Sequence, residues 1–250
     1  MTRYNSDFYP GYVGLFKQRT GSKHDGCATF YKRSRFDLVD FKLLEYRQPG
    51  ITLLDRDNVA IVVLLQPKER RHQSQRLCIT NTHLLYNPKR GDIKLAQLSM
   101  LLAEVDKIAH VAHNEEKGGS TYHPVIMCGD FNSRPNCPLV EFVCTGELDY
   151  KGIRTDDVSG QERKRSSRVL ECPLWPHNVG VTDKCQYRSV CQGRTQLGQT
   201  ATGANLPPGR SLVSQLKCYL KCLTSRMTAM SARFPKEYNR LFVAPVIVTH

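Results

Sequence analysis

Leu77-Cys78-Ile79-Thr80-Asn81-Thr82-His83-Leu84 and Val125-Ile126-Met127-Cys128-Gly129-Asp130-Phe131-Asn132-Ser133 follow one pattern, an apolar run that breaks abruptly into polar residues. Near-continuous apolar runs of this length read as strands buried on both faces. The polar clusters then fall at the carboxyl ends of the strands. In layered α/β proteins that is where ligands gather, because the loops there are free to carry polar groups. Between the two runs, residues 92–113 read as a helix. Leu95, Leu98, Leu102, Val105, Ala109 and Ala112 recur at three- and four-residue spacing as one apolar stripe, with Asp92 as the expected N-cap and Gly118-Gly119 beyond the expected end.

Working outward, Asn58–Gln66 reads as a further buried strand. Gly11–Phe16, Cys27–Tyr31 and Phe36–Tyr46 read as shorter strands, the first two joined by the turn Arg19-Thr20-Gly21-Ser22-Lys23. Pro138–Cys144 reads as a short helix with proline in its first turn. Strand, strand, helix, strand argues for a layered protein of α and β elements. The character changes after about residue 183. Gln186–Arg210 is rich in Gly, Gln, Thr and Arg and reads as loop, Leu212–Met230 as a basic helix and Phe242–Val248 as a strand. No internal repeat is found.

Composition bounds the function. Of 250 residues, 40% are hydrophobic, enough for a real core, which excludes wholesale disorder. Lys and Arg number 36 against 23 Asp and Glu, a net charge of +13 that favours polyanionic partners. The longest apolar run, Val59–Leu65, is too short to span a bilayer, and Met1–Asp7 has no apolar signal-peptide core. The 10 cysteines are too sparse for a disulfide scaffold. Cys27, Cys78 and Cys128 sit inside apolar runs, where free thiols are ordinary, so no disulfide partner and a reducing, intracellular compartment are expected. The Cys185/Cys191 and Cys218/Cys222 pairs lack zinc-knuckle spacing.

The two polar clusters carry a hydrolytic rationale. Asp130 and Asn132, two apart in extended backbone, are expected to point to the same side. A carboxylate at Asp130 suits a hard cation such as Mg²⁺, and Asn132 offers both an amide donor and a carbonyl acceptor. Gly129 is expected to allow a sharp turn and the close approach of a phosphate. His83 is expected to donate to a phosphoryl oxygen and stabilise charge that develops there. Each residue alone is ordinary turn chemistry, and the signal lies in their combination at two strand ends flanking one helix. Basic loops at Lys68-Glu69-Arg70-Arg71-His72, Lys89-Arg90 and Arg163–Arg168 add candidate phosphate contacts, with Lys89 and Arg90 nearest the His83 cluster.

The Asn81-Thr82-His83-Leu84 and Cys128–Ser133 motifs together resemble the endonuclease/exonuclease/phosphatase superfamily, the DNase I-like hydrolases. Asp25-Gly26-Cys27-Ala28, Leu53–Val59, His83–Asp92, Val158-Ser159-Gly160-Gln161-Glu162 and Pro173-Leu174-Trp175-Pro176 resemble the Angel family, relatives of the carbon-catabolite-repressor-type deadenylases. The resemblance implies an α+β fold, a four-layer α/β/β/α sandwich, here incomplete at both ends. It implies a Mg²⁺-dependent phosphoester hydrolase acting on RNA 3′ ends, as exoribonuclease or end phosphatase, with mRNA 3′-UTR binding and a cytoplasmic and also nuclear location. Carried over by motif, Asp130 orients the attacking water, Asn132 positions water and substrate, and His83 holds the scissile phosphate. Pro88, Lys89, Arg90 and Asn58 are the expected substrate-binding residues, Asn58 and its neighbour Asp57 also giving structural support.

No counterpart of the family's Gln-Glu metal motif precedes Tyr12, and no Asp-Tyr-Ile or Ser-Asp-His occurs after residue 188, so no metal ligand is assigned. The expectation is a partial family domain over residues 1–187 and a divergent basic tail, partly loop or disordered, over 188–250. Impaired hydrolysis is expected, with a catalytically inactive RNA- or partner-binding fragment as the alternative.

Overall fold

Val59-Ala60-Ile61-Val62-Val63-Leu64-Leu65 is buried along its whole length, and its two faces serve two different cores. Ala60, Val62 and Leu64 join a core built with Leu95, Leu98, Leu101, Leu102 and Val105. Val59, Ile61, Val63 and Leu65 join a second core with Leu15 and Cys27. An alternating strand without polar positions can only be accommodated between two covering layers, and this one organises the fold.

The computed structural model describes residues 2–4, 10–69, 76–114, 119–145, 148–161 and 168–170. In chain order the elements are β1 (Thr2–Tyr4), β2 (Tyr12–Gln18), β3 (Gly26–Lys32), β4 (Phe36–Glu45), a 3₁₀ turn (Thr52–Leu54), β5 (Val59–Pro67), β6 (Leu77–His83), α1 (Gly91–Ala109), β7 (His110–Asn114), β8 (Gly119–Tyr122), β9 (Val125–Asp130) and α2 (Pro138–Thr145). Strands β1-β2-β3 form one antiparallel sheet, and β4-β5-β6-β9 form a second in which only β6 and β9 run parallel. The connection from β6 to β9 carries α1, as a parallel pair requires. The first sheet packs on one face of the second through β2, β3, β5 and β6, and α1 packs on the other through β4, β5 and β6. The described residues thus draw three successive layers, sheet, sheet and helix, of an α+β sandwich.

The helix departs from expectation at both ends. It stops at Ala109, and His110–Asn114 turns into a strand paired antiparallel with Gly119–Tyr122. The Tyr122 hydroxyl donates to Asp106 Oδ1 at 2.6 Å and its ring meets that of His110 edge-on at 5.5 Å, so the hairpin folds back on the last helical turn. Hairpin pairing with the next segment outweighs helical periodicity here, and Ala112 lies exposed outside the stripe. The C-cap is His110, not a glycine. At the other end Asp92 is not the N-cap. The helix begins at Gly91, whose N–H donates to the Thr155 carbonyl at 2.9 Å, and a Cβ there would lie 2.3 Å from that of Val158. Asp92 is instead paired with Arg90 and Arg168. The single-stripe reading also understates burial, since every residue from Gly91 to Val105 is buried, including Lys94, Gln97 and Glu104.

Cys27, Cys78, Cys128 and Cys137 are free and buried. Burial pushes the thiols of Cys27 and Cys78 up to about 12 and that of Cys128 to about 11, so they pack as apolar side chains. No helix among the described residues is long and apolar enough to cross a membrane. The Pro173–Pro176 motif, the 186–210 loop, the helix expected at 212–230, the strand expected at 242–248 and the four C-terminal cysteines named above lie outside the described residues.

Candidate active site

The two clusters come together because β6 and β9 are neighbours in register, with Asn81 opposite Cys128, Thr82 opposite Gly129 and His83 opposite Asp130. Residues opposite one another on adjacent strands share a face, and the face alternates along the strand. His83 and Asp130 therefore stand opposite one another, and the pairing continues one step through Leu84 N–H to the Asp130 carbonyl at 2.9 Å. The face of β6 that carries His83 is the inter-sheet side. Asn81, on the same face as His83, donates through Nδ2 to the Ala28 carbonyl of β3 at 2.8 Å. Thr82, on the opposite face, meets the buried Tyr46 hydroxyl at 2.7 Å. Asn81 thus joins the polar seam between the sheets, Thr82 is satisfied on the helix side, and His83 is the residue of that motif left half-exposed at the rim.

Beyond β9 the chain does not stay extended. Asn132 has φ 47°, in the left-handed region, so the same-side argument for Asp130 and Asn132 fails. The turn is built otherwise. Asp130 Oδ1 accepts the Asn132 N–H at 2.8 Å, an Asx turn, and Asn132 Nδ2 reaches across to the Leu84 carbonyl at 2.9 Å. Asn132 is buried and its carboxamide ties the two strand ends together, whereas Asp130 is exposed. Gly129 is also explained differently. With φ 131°, its missing Cβ would lie 2.0 Å from the Thr82 carbonyl oxygen, so the close approach it permits is that of β6 rather than of a phosphate.

Asn58, expected to touch substrate, is buried and committed to the protein. Its Nδ2 donates to the His83 carbonyl at 2.9 Å and its Oδ1 accepts from Gln97 Nε2 at 3.2 Å. Gln97 Oε1 in turn accepts the Leu85 N–H at 2.9 Å, so one helix side chain brackets the His83-Leu84-Leu85 backbone. Lys94, one turn earlier on α1, is buried and donates to the Asn132 carbonyl at 2.7 Å, Ser159 Oγ at 2.9 Å and Gln161 Oε1 at 2.6 Å. Burial lowers its ammonium to about 8, against the opposing pull of the Cys137 and Asp130 charges. The sequence reading missed Lys94 and Gln97. The available signal was two long polar side chains three residues apart, and so on one helix face, beside a leucine stripe.

Behind His83, Arg19 grips Asp25 with Nε and Nη2 at 2.7–2.9 Å. Burial works to raise the Asp25 carboxyl, but the Arg19 hydrogen bonds and charge, with a contribution from His83, leave it below its ordinary value. Asp57 accepts from Thr20 Oγ1 and from Arg47 at 3.2 Å, which ties the β2–β3 turn to the second sheet. Of the expected substrate contacts, Pro88 is half-buried and Lys89 is exposed. Arg90 holds Asp92 through both Nε and Nη2 at 3.0 Å, a fork already filled by a carboxylate.

A divalent metal needs a fitting donor set. Among the described residues no group of three His, Cys, Asp or Glu side chains is placed to hold one. Asp130 supplies a single exposed carboxylate. Mg²⁺ is usually bound through one or two carboxylates with waters and substrate oxygens, so these residues do not by themselves form its cage.

Known proteins resemble this chain in sequence and in fold. The family model described as Endonuclease/Exonuclease/phosphatase family matches residues 2–211. "Protein angel homolog 2" of Homo sapiens is 50% identical over 178 residues, covering 71% of this chain and 32% of its own length. "Carbon catabolite repressor protein 4 homolog 3" of Arabidopsis thaliana is 38% identical over 189 residues, covering 76% of this chain and 39% of its own. Among solved structures, that of ANGEL2, a 2′,3′-cyclic phosphatase, in complex with adenosine-2′,3′-vanadate superimposes with a TM-score of 0.64 at 48% identity, covering 71% of this chain and 49% of that one. The chain therefore spans well under half the length of these full-length relatives. Its sandwich, its paired strand ends and these matches lead to one conclusion: the chain belongs to the Endonuclease/Exonuclease/phosphatase family, and within it is similar to the Angel proteins.

Proposed function

We propose that the rim formed by His83 and Asp130 is the phosphoester-binding part of an RNA-end hydrolase. The observation that carries this reading is the register of β6 and β9, which sets the half-exposed His83 and the exposed Asp130 opposite one another at adjoining strand ends. The +13 net charge suits a polyanionic substrate, and the similar ANGEL2 structure is that of a 2′,3′-cyclic phosphatase.

In this reading the imidazole of His83 donates a hydrogen bond to a non-bridging phosphoryl oxygen and stabilises the charge that grows there. The Asp130 carboxylate accepts a hydrogen bond from the attacking water and aligns it with phosphorus. Asn132 keeps the Asp130 strand end at a set distance from Leu84, and Asn58 does the same for the His83 carbonyl. Lys89, exposed on the same loop, supplies a phosphate contact that salt weakens. The resemblance implies a Mg²⁺ requirement. Among the described residues no group of three ligating side chains is placed to hold the ion.

The substrate class is an oligoribonucleotide ending in a 2′,3′-cyclic phosphate, met in the cytoplasm or nucleus. The test is release of the opened or dephosphorylated end by the purified 250-residue chain, with and without Mg²⁺. Asp130→Ala is expected to lower turnover by about a thousandfold or more, with RNA binding retained. Turnover unchanged by Asp130→Ala overturns the assignment. RNA retention with no turnover by the native chain would replace it with the RNA-binding reading.

A further inference from the structure

Lys94 is the unusual residue of this fold. A lysine in the middle of a buried face is rare unless it is paired, and among the described residues Lys94 makes no salt bridge. Its three ammonium donors meet three neutral acceptors instead: the Asn132 carbonyl, Ser159 Oγ and Gln161 Oε1. An ammonium has three donors, so the set is complete. These acceptors come from two segments, the Asp130–Ser133 turn and the Ser159–Gln161 loop. That loop also donates structure to the turn's far side, where the Arg134 N–H reaches the Ser159 carbonyl at 2.9 Å. The Asn132 residue is thereby held at three points: its N–H by Asp130, its carboxamide by Leu84 and its carbonyl by Lys94. Asparagine is among the non-glycine residues that enter the left-handed region most readily, and of the three contacts that hold Asn132 there the one to its carbonyl is the point that neither strand supplies.

Gln97 stands three residues further along α1 and brackets the backbone at His83 directly and through Asn58. One helix face therefore sets both strand ends. We infer that Lys94 is a positioning residue of the phosphoester site, its buried ammonium fixing the Asp130–Asn132 turn against α1 so that the carboxylate stands in register with His83. The inference rests on reading that rim as the reacting site. The structural clamp itself does not depend on it.

The test uses the full chain carrying Lys94→Met, which keeps the length and removes all donors. Lys94→Gln is the second variant, keeping a neutral donor in case the first folds poorly. Amide hydrogen exchange over Phe131–Ser133 is compared with exchange over β5, the internal reference for folding. Kinetics on the cyclic-phosphate oligoribonucleotide supply the second readout. Expected for Lys94→Met is at least tenfold faster exchange at the turn with β5 unchanged. The expected kinetic change is a fall in kcat of about a hundredfold, the scale of an ångström of misplacement, with KM within about twofold because His83 and Lys89 stay in place. Lys94→Gln is expected to recover part of both. Unchanged exchange at Asn132, exchange raised equally in β5 and the turn, or unchanged kcat overturns the inference. A native chain without turnover would refute the hydrolytic reading, while exchange at the turn would still decide the clamp.

Discussion

The carboxyl ends of β6 and β9 lie side by side, are spelled in similar polar residues and do different work. At the end of β6 the chain stays extended, and alternation sends Asn81 into the seam with β3, Thr82 to Tyr46 and His83 to the rim. At the end of β9 alternation is abandoned. Asn132 takes a left-handed conformation, its side chain turns inward to Leu84, and the helix reaches over to hold its carbonyl. The first end is fixed by the sheets and, just beyond the strand, by Gln97 of the helix, whereas the second is fixed by the helix and a loop. A polar cluster after a buried strand thus marks where polar side chains gather, but it does not say which members face solvent. Here the exposed pair is His83 and Asp130, and the amides between and around them are structural.

Three substitutions sharpen the contrast. The largest effect is expected at the contact between the two ends. Gly129→Ala places a Cβ within 2.0 Å of the Thr82 carbonyl in a backbone with φ 131°. A cost of about 3–5 kcal/mol is expected, in the range of severe steric lesions, read as a lowered urea midpoint. A loss below 1 kcal/mol would show that the strands can separate there and that their register is not the organising contact.

A smaller effect is expected from Asn81→Ala, which leaves the Ala28 carbonyl without its donor. The expected loss is about 0.5–1.5 kcal/mol, the net worth of one part-buried hydrogen bond. Exchange should rise in β3 and β6 while the Asp130–Ser133 turn keeps its protection, because that turn is held from α1. Equal loosening of the turn would erase the distinction between the two ends.

The smallest effect concerns acid. The Asp25 carboxyl sits below its ordinary value when folded, despite the upward push of burial, because Arg19 and His83 favour its charged form. Its contribution to stability is therefore present above the unfolded carboxyl's value and is lost as pH falls through the lower folded value. Solvent screens this partly exposed pair, so the contribution is modest. Arg19→Met should lower the neutral plateau of the thermal melting profile modestly and so flatten its acid limb. An unchanged acid limb would mean that the charges behind His83 do not support it.

Much of the fold was legible in the residues because its determinants are local. Val59–Leu65 has no polar position, so it had to be an interior strand, and the apolar runs ending at Asn81 and Gly129 had to be its neighbours in kind. The helix was legible in its middle and not at its ends. Ala112 continues the stripe, yet His110–Asn114 pairs with Gly119–Tyr122, a choice that depends on a partner segment. Asp92 has the chemistry of a cap, yet Arg90 and Arg168 claim it once the chain has folded.

For the site, His83 and Asp130 were legible as chemistry-bearing residues at strand ends. The roles of Gly129, Asn58 and Arg90 were not, since each depends on what stands opposite: the Thr82 backbone, the His83 carbonyl and the Asp92 carboxylate. The sequence by itself determined which strands are buried and which residue types stand at their ends, because hydrophobic periodicity and turn chemistry act over a few residues. Only the tertiary structure decided that the two ends share a register, that Asn132 turns left-handed, and that Lys94 and Gln97 hold them from behind. Hydrogen bonds between segments far apart in the chain are made only when burial has brought their partners within reach.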